Sequence, residues 1–507
     1  MKILPDFKEF SSKHSKGIKQ LVWAKLPADL DTPVSVAMQL GEEEFCSLFE
    51  SVEGGKNRGR YSFITVDPDL IWRCVAGQPE INRNANCDLD SFEKDKEKDV
   101  FASLRKIIAE SKLDIPSALP AMSSGLFGYF SYDMVRYMEK IPNKNPEVIN
   151  IPESLFIRPR IIIIFDSVKD EMSVVAPVFK YSSSAQGDYD EAVERITRIA
   201  HKLSGIVINK NYEHCLNEKA AKKYSQDELE KASNTSRKEY YEMVEKAKEY
   251  ILAGDIFQVV LAQRFALDFP YEAFSLYRVL RSINPSPYSF YVKMRDFALV
   301  GSSPEILVRA KGGKVTVRPI AGTRKRGESE TEDKNLEADL LRDEKELAEH
   351  LMLIDLGRND VGRVAKMGSV KVTEQMVIER YSHVMHIVSN VEGVLKPECD
   401  ALDAVIAGFP VGTVSGAPKI RSMEIIDELE KERRSFYAGG VGYFSSNGDV
   451  DTCIALRTGL VKDGKLYIQA GGGVVADSTP EGEYQESCNK ARALVSAAEI
   501  VASVSET

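Results

Sequence analysis

Four short β-forming segments follow one another between Pro287 and Pro319, separated by only a residue or two. They are rich in β-branched and aromatic residues and are bounded by turn-forming residues, which is typical of strands. Their sequences are PYSFYVKM, FALVGSS, EILVRA and GKVTVRP. Strands this close together are hairpin neighbours, and the predicted helices lie in separate blocks. The pattern favours an α+β fold with antiparallel sheets over a doubly wound parallel fold.

The chain divides by composition into two structured regions joined by a polar stretch. Residues 1–205 are predicted to be mostly β, with a helix near 188–205. Residues 206–235 are polar and rich in lysine, which predicts an exposed linker. Residues 236–507 form the second region, and at 507 residues the whole chain is longer than one average domain.

The second region contains the clearest helix signals. Ser236 lies three residues before Glu239, the spacing of a capping box, and an amphipathic segment then runs to Gly254. A long helix is predicted over 333–356, and another closes the chain.

Composition excludes several classes of protein. The formal net charge of -10 argues against nucleic acid or an anionic membrane as partner. No apolar run reaches the length of a membrane span, and the N-terminal residues lack the apolar core of a signal peptide. Seven cysteines without CxxC spacing indicate reduced thiols and a cytoplasmic location, and six histidines make a histidine metal cage unexpected.

Two pairs of glutamates have the spacing of one helix face. Glu346 and Glu349 are three residues apart, and Glu483 and Glu486 repeat the pattern at another helix start. Each pair on its own fits a solvated acidic face. Together, carboxylates from two helices suit Mg²⁺, which takes one or two protein carboxylates, waters and an anionic substrate.

Two glycine-containing segments are candidates for anion binding. Gly471, Gly472 and Gly473 follow a strand, where backbone N–H groups could point at an anion, although a simple turn is the alternative. The spacing is not that of a dinucleotide fingerprint. In PVGTVSGAPK, possible anion contacts are Thr413, Gly416 and Lys419, and the alternative is a loop that leads into a helix.

Arg457 lies in CIALRT, an otherwise apolar segment that is predicted to be a strand. A buried arginine requires a carboxylate or phosphate partner, and its fork binds carboxylates bidentately. Tyr437 and His386 taken singly fit core polar residues. The whole set describes a site for a small polyanion, such as a substrate with two carboxylates.

These residues lie in motifs that resemble the chorismate-utilising enzymes, and within them the large subunits of anthranilate synthases. The motifs are LFES, NPSPYSFY, GSSPE, PIAGT, EKELAEHLMLIDLGRND, FPVGTVSGAPK, RSFYAGGVGY, CIALRT and QAGGGVVADS, in that order. The resemblance covers nearly the whole chain. It implies a large sandwich of two antiparallel β-sheets flanked by helices, with a core that mixes strands from both regions.

The resemblance also implies roles for particular residues. Glu349 and Glu486 match the Mg²⁺ ligands, and Glu346 and Glu483 lie in the same shell. Glu305 matches the acid that protonates the departing ring hydroxyl, and His386 a histidine linked to the loss of pyruvate. The implied catalytic residues are Glu305, His386, Thr323, Glu346 and Glu483. The implied chorismate-binding residues are Gly322, Thr323, Tyr437, Arg457, Gly471, Gly472 and Gly473.

Two positions separate anthranilate formation from sister reactions. Relatives that make aminodeoxychorismate carry a lysine where this chain has Ala321, and that lysine can add to the ring. Isochorismate and salicylate synthases carry a basic lysine where this chain has Gln258, which cannot act as a base at neutral pH. The implied reaction joins chorismate and ammonia to give anthranilate and pyruvate, the first step toward tryptophan.

The resemblance implies partners and regulation as well. The sequence contains no glutaminase nucleophile, so a separate glutamine amidotransferase subunit is expected, in a heterotetramer. The segments LFES and NPSPYS resemble a tryptophan feedback site, although NPSP also fits a simple rigid turn. The implied regulatory residues are Glu50, Ser51, Pro287, Tyr288 and Ser289.

Three other functions are weighed. Aminodeoxychorismate synthase is opposed by Ala321. A non-catalytic tryptophan-sensing or scaffolding subunit has no need for both glutamate pairs, Arg457 and the glycine run. A phosphate-binding domain does not explain the excess of carboxylates at an anion site without a metal.

Overall fold

The computed structural model describes residues 1–53, 57–181, 184–204, 224–381 and 384–505. The strands are β1 Ile3–Leu4, β2 Gln20–Pro27, β3 Cys46–Glu53, β4 Asn57–Val75, β5 Gln78–Asn82, β6 Glu93–Lys94, β7 Gly125–Phe130, β8 Ser154–Asp166, β9 Glu171–Val178, β10 Gln258–Asp268, β11 Tyr288–Met294, β12 Phe297–Ser303, β13 Ile306–Lys311, β14 Lys314–Val317, β15 Ile320–Lys325, β16 Lys371–Arg380, β17 Val384–Val394, β18 Gly416–Ala417, β19 Gly440–Ser445, β20 Val450–Ile454, β21 Thr458–Lys462 and β22 Lys465–Val474.

The helices are α1 Phe7–His14, α2 Pro33–Gln39, α3 Val100–Glu110, α4 Ala185–Ser204, α5 Gln226–Ala232, α6 Arg237–Leu252, α7 Ala273–Ile283, α8 Glu330–Leu340, α9 Glu344–Val364, α10 Ala401–Gly408, α11 Gly412–Ser415, α12 Lys419–Leu429 and α13 Pro480–Ser505. Two short 3-10 helices, Ala121–Ser123 and Tyr132–Tyr137, flank strand β7.

The strands of the described residues pair antiparallel in one hydrogen-bonded network. Side chains alternate between its two faces, so each long strand contributes to two separate cores. In β8, Ile162 and Ile164 pack into one core while Ile161 and Ile163 pack into the other. This burial on both faces explains the unbroken apolar run of that strand. The predicted α+β class is confirmed, and the two expected sheets are joined by continuous pairing.

The two regions of the sequence share this network. Strand β3 pairs with β11, placing Phe49 opposite Phe290, and β7 pairs with β19, placing Gly128 opposite Gly442. The cores accordingly mix residues from before and after the predicted linker.

The prediction of one continuous helix over 333–356 is wrong. Two helices, α8 and α9, replace it, with a break at Leu341–Asp343. Asp343 causes the break, because its carboxylate accepts the backbone N–H groups of Lys345 and Glu346 at 3.1 and 3.2 Å and starts a new helix. The capping box of Ser236 and Glu239 is present as predicted.

The structure also differs from the predictions in shorter segments. Of the predicted linker, residues 206–223 lie outside the described residues, while α5 forms a capped helix within 226–232. Strand β7 ends at Phe130, and a 3-10 helix over Tyr132–Tyr137 follows it. No helix among the described residues has the length and apolar character needed to cross a membrane.

Candidate active site

A cavity of about 810 Å³ lies among strands β10, β15 and β22 and helices α9 and α13. Its wall collects most of the predicted catalytic, metal-binding and substrate-binding residues. Those in the wall are Glu305, Gly322, Thr323, Glu346, Glu349, His386, Tyr437, Arg457, Gly471, Gly473, Glu483 and Glu486, together with Gln258 and Ala321. Residues distant in sequence therefore form one site.

Helix α9 brings one glutamate pair to the cavity. The cap at Asp343 fixes the first turn of the helix, so Glu346 and Glu349 fall on the face that lines the wall. The side-chain amide of Gln258 donates to Glu349 at 3.0 Å, which connects the start of β10 to this helix. Burial, and then the charge of Glu349, raises the pKa of the Glu346 carboxyl.

Helix α13 supplies the second pair. The Ser478 hydroxyl donates to Oε1 of Glu483 at 2.6 Å, while Oε2 of the same carboxylate is buried without a hydrogen-bond partner. Burial raises the pKa of Glu483 despite the hydrogen bond from Ser478, and the charge of Glu486 adds to the rise. A nearby cation would stabilise the charged form of a carboxylate in such surroundings.

Lys490 is a wall residue that the sequence did not single out. It lies one turn after Glu486 on α13, pairs with that carboxylate at 2.7 Å, and donates to the carbonyl of Gly471 at 3.0 Å. The signal that could have found it is its i+4 spacing from a predicted metal ligand. Lys490 therefore places a positive charge beside Gly471 of β22.

The four glutamates fit a hard divalent cation by donor chemistry. Each carries carboxylate oxygens of the kind that Mg²⁺ binds, and Oε2 of Glu483 is a buried acceptor without a hydrogen-bond partner beside Gly472. Among the described ranges, no three His, Cys, Asp or Glu side chains assemble into a complete metal cage.

The glycine run lies inside strand β22, and not after a strand as the sequence indicated. Gly471 and Gly473 line the cavity and pair with Ala262 and Val260 of β10. A Cβ on Gly473 would collide with the Gln258 side-chain amide, so this glycine makes room for that side chain. Gly472 lies outside the cavity wall, where a Cβ would collide with Oε2 of Glu483.

Glu305 is a buried carboxyl in the wall. Burial raises its pKa to about 8, although the Thr413 hydroxyl and the charge of Lys490 oppose the rise. Thr413 donates to the carboxylate from 3.0 and 3.1 Å. The group is therefore protonated at neutral pH, which is the state a general acid requires.

His386 and Thr323 form a contact on adjacent strands β17 and β15. The Thr323 hydroxyl lies 3.0 Å from Nδ1 of His386, and the same nitrogen lies 3.2 Å from the carbonyl of Gly322. Because a carbonyl can only accept, Nδ1 carries the proton and Nε2 has the free lone pair. Burial lowers the pKa of His386 to about 4, so the ring is neutral at pH 7.

The segment that follows β14 forms strand β15, Ile320–Lys325. Strand β15 pairs with β17, and a register shift lies between Ala321 and Thr323. Gly322 occupies the shift with a φ of 70°, a left-handed conformation that favours glycine. The bulge brings Ala321 to the cavity wall.

Arg457 does not lie within a strand. Strand β20 ends at Ile454 and β21 begins at Thr458, and Arg457 has a φ of 48° in the turn between them. Burial lowers the pKa of its guanidinium despite the charges of Tyr437 and Glu486, and within the described part of the chain no carboxylate forms an ion pair with it. An anion in the cavity would supply that partner.

Tyr437 also lies in a turn, just before β19. Its phenol is buried in the cavity wall, and burial raises its pKa to about 12. The phenol is therefore a neutral hydrogen-bonding group across the physiological pH range.

The PVGTVSGAPK segment contributes one of its three predicted contacts to the wall. Thr413 lines the cavity, Gly416 pairs with Val259 in a short bridge to β10, and Lys419 binds buried Asp360 at 2.8 Å. Lys419 is therefore neutralised away from the cavity. The prediction that Lys419 contacts an anion bound in the cavity is wrong.

Four predicted regulatory residues line a second, smaller cavity of about 80 Å³. They are Glu50, Ser51, Tyr288 and Ser289. Antiparallel pairing of β3 with β11 brings them together, with Ser51 opposite Tyr288 and Glu50 opposite Ser289. Pro287 lies instead in the wall of the larger cavity.

Charged and hydroxyl groups surround this second cavity. Tyr288 donates to Asp451 at 3.0 Å and accepts from Arg309 at 2.7 Å. Glu50 accepts from the Tyr277 hydroxyl and from Arg281, both on helix α7. Aromatic, anionic and cationic side chains therefore lie around this cavity, with Glu50 paired to Arg281 and Asp451 paired to Arg309.

Comparison with known proteins gives consistent matches over nearly the whole chain. A family described as chorismate binding enzyme matches residues 67–496. The anthranilate synthase component 1 of Cereibacter sphaeroides is 52% identical over 500 residues, covering 98% of each chain. The protein of the same name from Aquifex aeolicus is 45% identical, over 94% of each chain.

Solved structures agree with these matches. The anthranilate synthase component I from Streptococcus pneumoniae superposes with a TM-score of 0.76 at 36% identity, covering 86% of this chain and 92% of that chain. The menaquinone-specific isochorismate synthase from Escherichia coli has a TM-score of 0.68 at 18% identity, covering 97% of this chain and 100% of that chain. The second match shows a shared fold.

Proposed function

This chain belongs to the chorismate binding enzymes, and from that membership and its active-site residues we propose that it is the chorismate-converting subunit of an anthranilate synthase. Chorismate and ammonia would give anthranilate, pyruvate and water. The observation that carries the proposal is the pair Ala321 and Gln258 on the cavity wall. Neither can act as the amine nucleophile or the lysine base of the sister enzymes.

The cavity suits a ring that carries two carboxylates. Arg457 has a free fork for one carboxylate, and the phenol of Tyr437 can donate beside it. Lys490 and the amides of the glycine strand offer a second positive region. These groups would bind and orient chorismate before ammonia arrives.

We propose that the carboxylates of Glu349 and Glu486 hold Mg²⁺, with Glu346 and Glu483 beside them. When bound, the ion would neutralise this acidic wall and hold the ring carboxylate of chorismate. The raised pKa of Glu346 and of Glu483 and the unused oxygen of Glu483 support this assignment.

Two proton transfers are assigned to residues of this chain. Glu305, protonated at neutral pH, donates its proton to the ring hydroxyl, which leaves as water when the ammonia nitrogen bonds to the ring. In the second step the ring loses a proton and the enolpyruvyl C–O bond breaks, giving pyruvate and an aromatic ring. Neutral His386, with a lone pair on Nε2, has the protonation state for that step.

The remaining parts of the proposal concern partners, location and regulation. A glutamine amidotransferase subunit would supply ammonia within a heterotetramer in the cytoplasm. Tryptophan would bind in the second cavity, on residues 1–205 and on strand β11, while residues 236–507 carry the catalytic groups. The acidic and basic side chains around that cavity support an amino acid as its ligand.

One incubation tests the main proposal. The purified chain is mixed with chorismate, a magnesium salt and ammonium at pH 8, and anthranilate is followed by fluorescence and chromatography. Anthranilate should form and should cease to form after EDTA is added. Accumulation of aminodeoxychorismate, or no consumption of chorismate, would overturn the proposal.

A further inference from the structure

We propose that Arg434 is the positioning residue of the active site, whose buried guanidinium holds three separate parts of the cavity wall in place. This inference rests on the proposed function. Arg434 does not line the cavity, and its side chain is 1% exposed. Two of its hydrogen bonds end on backbone carbonyls of residues that do line it.

The guanidinium joins two backbone segments of the wall. Nη1 donates to the carbonyl of Val414 at 2.6 Å, and Nη2 donates to the carbonyl of Val260 at 2.6 Å. Both valines line the cavity. Val260 lies two residues after Gln258 on β10, and Val414 directly follows Thr413. One side chain thus sets the separation of the two segments.

Glu430 fixes the orientation of this guanidinium. Its carboxylate accepts from Nε of Arg434 at 3.0 Å and from Nη2 at 2.5 Å. The same carboxylate accepts the backbone N–H of Ala262 at 3.0 Å, so it is anchored to β10 in turn. A buried arginine paired in this way has little freedom to move.

The third part of the wall is the turn that carries Tyr437. The Arg434 guanidinium lies 5.5 Å from the Tyr437 ring and 4.8 Å from the Tyr132 ring. Ser435 and Ala438 have φ values of 55° and 62°, which non-glycine residues adopt only when neighbouring contacts hold them.

The hydrogen bond from Arg434 to the Val414 carbonyl also affects Glu305, the proposed acid. Thr413, the preceding residue, donates to both carboxylate oxygens of Glu305. If Val414 moves, this hydrogen bond lengthens, and a contact that stabilises the charged carboxylate is lost. Lys490 and Tyr381 are the other ionisable groups whose charge interacts with Glu305. Neither contacts Arg434, so a change at Arg434 acts on Glu305 through Thr413.

The test replaces Arg434 with lysine, which keeps the charge and loses the planar fork. Arg158→Lys is the matched control, because Arg158 is also buried, binds Asp69 twice at 2.7 Å and lies over the Phe179 ring, yet lines no part of the cavity. Both variants should lose thermal stability to a similar degree. Only Arg434→Lys should lower kcat by about tenfold or more, with a larger effect on kcat than on chorismate affinity measured by calorimetry.

The pH profile separates positioning from general destabilisation. The basic limb of kcat, which reports deprotonation of Glu305, should move to higher pH in Arg434→Lys and in Thr413→Val. It should move no further in the double variant, because both changes remove the same contact. A limb that stays in place, an additive double variant, or an equal loss of kcat in Arg158→Lys would overturn the inference.

A milder variant covers the case in which Arg434→Lys does not fold. Glu430→Gln removes the charge that orients the guanidinium but retains both carbonyl contacts, so it should move the limb in the same direction by a smaller amount. An unmoved limb in that variant would also overturn the inference. A wild-type chain that makes no anthranilate would instead refute the proposed function.

Discussion

The hydroxyl of Thr413 donates to the carboxylate of Glu305 in a wall that otherwise disfavours a negative charge. Burial outweighs this hydrogen bond, so the pKa of Glu305 stands at about 8 in place of its ordinary 4.5. The folded protein therefore keeps a proton that the unfolded chain releases between these two values.

Stability should fall as the pH rises through this window, because the unfolded state binds fewer protons there. The loss should reach its full size, about 4 to 5 kcal/mol at most, above pH 8. Glu305→Gln removes the ionisation, so the variant should be more stable than the wild type at pH 9 and similar at pH 5. Denaturant unfolding at both pH values measures the difference. An equal effect at both would contradict the raised pKa.

The same substitution should remove the acid that we propose protonates the leaving hydroxyl. We expect Glu305→Gln to lower kcat by about 100-fold or more while chorismate still binds. Steady-state assays and calorimetry with chorismate distinguish the two effects. Wild-type turnover in the variant would assign the proton to another group.

Glu349→Gln and Glu486→Gln should each abolish anthranilate formation and weaken Mg²⁺ binding by about tenfold or more. The metal affinity is measured by calorimetry with MgCl₂ and no substrate. Glu481→Gln is the control, because Glu481 lies on the same helix but is paired with Arg237 outside the cavity. Unchanged Mg²⁺ affinity in both wall variants would refute the metal assignment.

Ala321→Lys should place an amine nucleophile in the cavity wall. The new amine would face the chorismate ring, so anthranilate formation should fall by about tenfold or more. Mass spectrometry of the intact protein should detect an adduct of chorismate less one water. Ala321→Leu is the size control and should reduce activity without an adduct. Full activity with lysine would show that this position does not face the ring.

Ser51→Phe should fill the second cavity and relieve the proposed inhibition by tryptophan, while kcat at zero tryptophan stays within about twofold of the wild type. Inhibition curves at fixed chorismate give the shift. Inhibition that persists unchanged would place the effector elsewhere.

Patterns tied to helix spacing were the most predictable part of the site. Glu349 and Glu486 were found because an i, i+3 glutamate pair on each of two helices is visible in one dimension. Lys490 was missed although its i+4 spacing from Glu486 is visible in the sequence. The contact between Thr413 and Glu305 was missed because it depends on how segments distant in sequence pack together. No local pattern encodes that information.

Backbone turns inside apparently regular segments were the least predictable. Arg457 lies in a run of strand-forming residues, yet it occupies a left-handed turn that separates β20 from β21. Tertiary packing there overrides local propensity. In the same way, the break before α9 depends on Asp343 capping a new helix within a sequence that reads as continuous.

The pairing of β7 with β19 has a consequence for biosynthesis. Phe127 and Tyr443 stand opposite each other, although most of the chain separates them. During translation β7 leaves the ribosome long before its partner exists, so its free edge must wait with unpaired N–H and C=O groups. We therefore expect the nascent N-terminal half to need protection from aggregation until β19 has been synthesised.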